Sequence, residues 1–264
     1  MILRRLSQHV KDQNWFAVAL DFVIVVIGVG VALMGQQWLS DGQQRADMRV
    51  AEKALQLDLY SNYYIAKERV AVADCRIETY RGVAAQLLEP GVDWLGLPRS
   101  KSEDIFRQAL PSVFRSPSRS WGSRVWQAEL SRGTFNQMSD ERRQSLDGLF
   151  KQTDNAEKLQ RDIFALQGRL KILAVSTTLS QTEKLRYYEI LGEMDDKSAL
   201  LELMSGQIIQ RIESIGIVLP AEVEAEVSDD LSILTARGRD IYGPCFQAQD
   251  WPALGINSLE DEAQ

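Results

Sequence analysis

One histidine, two cysteines and no basic run longer than Arg142-Arg143 are what this 264-residue chain has least of. The only histidine, His9, precedes the first apolar stretch. Ser-His-Asp catalysis, Cys-His catalysis and histidine-bearing zinc sites are therefore excluded from everything after that stretch. Neither Gly-x-x-x-x-Gly-Lys-Ser/Thr nor a strand-borne Gly-x-Gly-x-x-Gly occurs, which removes the common loops that cradle phosphates. A net charge of -7 and a pI near 5.0, with the bases scattered, argue against a nucleic-acid partner, because that footprint needs clustered Lys and Arg. Asp195-Asp196 and Asp229-Asp230 are adjacent acids on helical segments, where neighbours diverge by about 100° and are not preset to hold one metal. The expectation is a protein with no enzyme activity, no cofactor and no metal.

What is present begins with a hydrophobic run. Residues 15–38 read WFAVALDFVIVVIGVGVALMGQQW, and between Phe22 and Gly35 no residue is charged or strongly polar. From Trp15 to Gly35 a helix rising about 1.5 Å per residue spans the roughly 30 Å hydrocarbon core of a bilayer. Trp15 and Trp38 stand at the two ends, where an indole buries its ring and keeps its N–H in the headgroup layer. A cleaved signal peptide is the competing reading. It is disfavoured because Gln36, Gln37, Trp38 and Leu39 occupy the place where small residues would be needed for cleavage.

The bases Arg4, Arg5 and Lys11 before the span are nearly balanced by Arg45, Arg49 and Lys53 after it. The later ones are interleaved with Asp41, Asp47 and Glu52. The nearly all-basic leading segment favours a cytoplasmic N-terminus and a periplasmic domain. Inside the span, Gly28 and Ala32, with Gly35 nearby, make a small-residue stripe along which two helices can approach, so a homo-oligomer is one expectation. Asp21 is the only charge, and a bare carboxylate at that depth costs about 2–3 kcal/mol unless it is partnered, protonated or close to the headgroups.

The remainder reads as mainly α. From Gln44 to Leu88 there is no Pro, and Leu55, Leu59, Tyr63, Ala66, Val70, Ala73, Ile77, Tyr80, Ala84 and Leu87 recur in steps of four and three, one helix face. The membrane helix is expected to run on into this segment as a stalk that packs against other helices of its own domain. Residues 90–123, broken by Pro90, Pro98, Pro111 and Pro117, form a connection with one short helix over Ser102–Leu110; Phe114, Trp121 and Trp126 anchor it in the core. A helix capped by Ser139 should reach about Ala174. The run Ser180-Gln181-Thr182-Glu183 is a capping box that starts another, with a break near Gly192, reaching Pro220. A last, acidic helix is expected over residues 221–237. No strand-like alternation competes with helix.

The resulting organisation is a cytoplasmic tail (1–14), a transmembrane helix (15–38), a soluble helical-bundle domain (39–249) and a loose C-terminal tail (250–264). In an oxidising periplasm, Cys75 and Cys245 would tie the end of the stalk to the C-terminal segment. Two unrelated buried thiols are the alternative. Gly243-Pro244, an ordered turn before Cys245, favours the bond.

The segment from Leu20 to Val29, with Ala32-Leu33 and Gln37-Trp38, resembles the N-terminal helix of a family of uncharacterised bacterial single-pass membrane proteins: an acid, an apolar run with Ile-Gly, Ala-Leu, and an exit Trp. The stretch from Trp126 to Gly133 and on through Met138 to Phe150 is similar to that family's central aromatic region, Gly turn and helix. The resemblance implies that an acid at Asp21 is a family trait and supplies no activity. Proton-relaying subunits of the flagellar stator and Tol/Exb type also carry an acid in a lone N-terminal helix.

These readings point to a non-enzymatic interaction or scaffold protein of the bacterial inner membrane, with other envelope or membrane proteins as partners. A proton-coupled subunit using Asp21 beside a multi-span partner, and a periplasmic ligand-sensing module, are the alternatives.

Overall fold

The computed structural model describes residues 15–99 and 110–217, together with residues 238, 242 and 246. His9, Cys245, the helix expected over 221–237, the tail from 250 and all but Leu110 of the short helix expected at 102–110 lie outside the described residues. The chain divides into two compact units, residues 1–50 and 51–264.

The protein is mainly α. The first helix, α1 (Trp15–Ala71), is 57 residues long, with no Pro to interrupt it. Its part in the first unit is long and apolar enough to cross a membrane. The side chains described there stand outward, among them Phe22 at 69%, Met34 at 71% and Trp38 at 84% exposure.

In the second unit α1 becomes amphipathic, burying Leu55, Leu59, Tyr63 and Ala66 at the expected steps of four and three. The single face expected to continue to Leu87 is instead interrupted at Val72, beyond which α2 (Ala73–Leu88) begins. Val70 and Val72 are β-branched and stiff at χ1, which weakens the helix there. Beyond the break Tyr80 and Leu87 of the expected face are buried together with Cys75 and Val83, while Ala73, Ile77 and Ala84 are only half-buried.

The rest of the bundle consists of α3 (Arg124–Arg132), α4 (Asp140–Arg169) and α5 (Gln181–Ile215). Ser139 caps α4 by accepting from the Arg142 amide, with Asp140 and Glu141 complementing the helix dipole in the first turn. A tight 3-10 turn over Lys171–Ala174 follows α4, close to the expected end. α5 starts at the capping box, with Ser180 Oγ accepting from the Glu183 amide and the Glu183 carboxylate accepting from the Ser180 amide.

Two expectations for α5 need correction. Gly192 does not break it, since a lone glycine costs a helix interior only about 1 kcal/mol and long apolar packing outweighs that. The helix also stops short of Pro220: Gly216, at φ +81, takes a positive-φ backbone conformation that L side chains avoid. α5 lies antiparallel to α4, where Lys197 meets Asp162 and Gln152 meets Gln207, and packs on its other side against α2.

A small antiparallel pair of strands, β1 (Asp93–Trp94) and β2 (Thr177–Thr178), corrects the expectation of no strand. Two residues a side cannot show an alternating pattern in sequence. Trp94 secures the pair by donating its indole N–H to the Leu173 carbonyl at 2.9 Å. Phe114, Trp121 and Trp126 are buried as expected, and Trp126 stacks on Phe135 and Phe150 at centroid distances of 5.2 and 5.6 Å.

Candidate functional site

The backbone from Pro111 to Ser123, one 3-10 turn over Ser112–Phe114 followed by irregular chain, runs against the helices, and its enclosed N–H and C=O groups must find partners. Polar side chains on two helices, α1 and α4, supply them. Asn62, fully buried on α1, donates to the Gly122 carbonyl and accepts the Gly122 amide, both at 2.7 Å. From α4, Gln160 donates to the Arg119 carbonyl, Gln167 donates to the Phe114 carbonyl, and Glu157 accepts the Trp121 amide. Arg69 Nη2 donates to the Pro117 carbonyl and to Gln160 Oε1, both at 2.8 Å. This clamp explains why Asn62, Arg69, Gln160 and Gln167 occupy core-facing positions.

Beside the clamp lies a cavity between α1, α2, α5 and the connection, leaving about 40 Å³ in which the centre of a water-sized group can move. Its walls carry three guanidinium groups (Arg69, Arg76 and Arg115), one carboxylate (Glu202) and the rings of Tyr80 and Tyr242. Arg76 is held by carboxylates: Nε and Nη2 donate to Glu202 at 2.6 and 2.9 Å, and Nη1 donates to Asp195. Burial opposes the charge of Arg76, but Glu202 and Asp195 outweigh it and raise its pKa.

Arg69 differs. Among the described residues its Nε has no hydrogen-bond partner, and burial lowers its pKa to about 10 against the longer-range pull of Tyr242, Glu202 and Glu68. Burial also raises Tyr80 to about 12. Tyr242 closes one side of the cavity and donates its hydroxyl to Glu68 Oε1 at 2.9 Å. Burial and then the Glu68 charge raise its pKa. Among the described residues the other Glu68 oxygen has no hydrogen bond, with Arg119 Nε 3.6 Å away.

The residues singled out from sequence fall in separate places. Gly28, Ala32 and Gly35 share one face of α1 by their spacing, and among the described residues nothing beyond the helix's own neighbouring backbone lies within 4 Å of where a Cβ on either glycine would stand. Position 21 lies on the same helix, and its side chain is outside the described residues. Cys75 is buried with Ala71, Val72 and Phe246, with Tyr242 packed against the cluster, while Cys245 is outside the described residues. Sequence reading missed the cavity residues Arg69, Arg76, Glu202 and Tyr242. The signal for Arg69 was available, since it stands three residues beyond Ala66 on the buried face of α1. Among the described residues no three His, Cys, Asp or Glu side chains converge as metal ligands would.

These features define a mainly helical protein with one long apolar N-terminal helix and a small charged cavity in its folded unit. No family model, curated protein or solved structure matches the chain.

Proposed function

We propose that this chain is a membrane-anchored, non-enzymatic interaction or scaffold protein of the bacterial inner membrane, with its N-terminus in the cytoplasm and its helical domain in the periplasm. The observation that carries the reading is α1 itself, one helix from Trp15 to Ala71 whose first part exposes its apolar side chains and whose last part enters a packed core. Exposed apolar surface on that scale is costly in water and favourable in lipid. Gly28, Ala32 and Gly35 lie open along it, which suits close approach of a second helix and a homo-oligomer in the membrane. Other envelope or membrane proteins are the proposed partners of the domain.

A disulfide between Cys75 and Cys245 belongs to this reading. Phe246, next to Cys245 in the chain, is packed with Cys75 in one buried cluster, which supports the pairing. Closing a loop of this length would contribute about 5 kcal/mol on the chain-entropy model.

The test joins extraction, topology and redox state. The protein should resist alkaline carbonate extraction, alkaline phosphatase fused after Gln264 should be active, and Cys75 and Cys245 should label with a thiol reagent only after reduction. Release by carbonate would sink the anchor. An inactive fusion with freely labelled thiols would put the domain in the cytoplasm and sink the bond.

A further inference from the structure

We propose that the cavity beneath Tyr242 binds a small oxyanion, held by Arg69 from within and by Arg115 at its mouth. Charge is the first argument. Arg69 is 3% exposed, and among the described residues its hydrogen bonds run only to neutral acceptors, Pro117 O and Gln160 Oε1, with Nε left over. A buried cation without a directly bonded anion is costly, and an unsatisfied buried donor marks a place where an ion or water completes the structure. Arg76 is already neutralised by Glu202 and Asp195, so the surplus positive charge at the cavity belongs to Arg69 and Arg115. Glu68 acts on Arg69 only at longer range, with no hydrogen bond between the two among the described residues, and its second oxygen faces another cation, Arg119 Nε at 3.6 Å.

Size and donor chemistry point the same way. The cavity, about 40 Å³, has room for only a few water-sized groups. That matches a carboxylate or a phosphate group and is too small for a nucleotide. Guanidinium forks favour oxyanions of this shape. Ser116 adds a hydroxyl on the wall: its Oγ accepts from Gln167 Nε2, which leaves its O–H to donate. The oxyanion is either a free ion or the terminal group of a larger molecule entering past the exposed Arg115 side.

The experiment is isothermal titration of the full chain in detergent with inorganic phosphate and with acetate, at constant ionic strength set by sodium chloride. Saturable binding of either is expected. Arg115→Gln should weaken it about tenfold or more without lowering the melting temperature in the absence of oxyanion, and Arg69→Lys should weaken it at least as much. Competition by glycerol 3-phosphate would identify the terminal group of a larger ester as an accepted form, and exclusion of that ester would identify the free ion. No saturable heat at millimolar phosphate or acetate, or unchanged affinity in both arginine variants, overturns the proposal.

Discussion

Arg76 on α2 and Glu202 on α5 meet as a two-pronged pair, with Nε and Nη2 each donating to a separate carboxylate oxygen. Both side chains are nearly buried, at 11% and 14% exposure, whereas Asp195, which shares the same guanidinium, is 47% exposed. A charge-assisted bidentate pair shielded from water is stronger than one open to solvent, and removing one partner leaves the other charge poorly solvated.

Glu202→Gln should therefore destabilise the domain by about 2–3 kcal/mol. Asp195→Asn should cost less than about 1 kcal/mol. Urea unfolding at neutral pH measures both. Equal losses from the two would mean that burial does not separate these carboxylates as described.

Trp126 is the centre of a stacked triple, with Phe135 on the turn after α3 and Phe150 on α4 lying within 19° and 14° of its plane. At 2% exposure it has no room to be replaced by water. Trp126→Ala should cost about 3–5 kcal/mol through lost burial and the void it leaves. Leu95, 89% exposed, is the matched control, and Leu95→Ala should fall within about 0.5 kcal/mol of the parent. Thermal or urea melts of the two variants decide this.

The helices were legible where local signals act alone. The Ser180–Glu183 capping box, the Ser139 cap and the Leu55–Leu59–Tyr63–Ala66 face are written in spacings of three and four, and the structure carries all of them. The break at Val72 was not legible, because Val72 keeps right-handed helical angles and a helical pattern continues on both sides of it. The cavity was hidden for a different reason. Arg76 and Glu202 are charged residues in helical sequence, the usual signature of a solvated face, and only the packing of α2 against α5 brings them inward. The buried amides Asn62, Gln160 and Gln167 were obscured likewise, since their partners are backbone groups of a distant loop.

Gly96 sits where the strand β1 leaves for the connection, and a Cβ there would stand 2.8 Å from both the Ala174 carbonyl oxygen and the Ser176 amide nitrogen. Both neighbours are backbone, so neither can swing aside. Gly96→Ala should cost about 1–3 kcal/mol by forcing the two segments apart. The amide of Leu97, which donates to the Leu173 carbonyl at 2.7 Å, should lose hydrogen-exchange protection in the variant. Unchanged protection would show that the contact yields without strain.

The start of α5 makes a prediction about pH. The Glu183 carboxylate accepts from both the Ser180 hydroxyl and the Ser180 amide at 2.6 and 2.8 Å, and these bonds lower its pKa below the usual 4.5. A carboxyl group whose pKa is lower in the folded state contributes stability above its unfolded value and loses it as pH falls through the folded one. The contribution of Glu183 should therefore be complete at neutral pH and fade below about pH 4.5. Glu183→Gln keeps an acceptor for the same amide but cannot titrate, so it should retain part of the cap and remove this component of the acid dependence. Melting temperatures of parent and variant across an acid pH series should converge as pH falls. A constant gap between them at every pH would mean that the charge of Glu183 plays no part in holding the first turn.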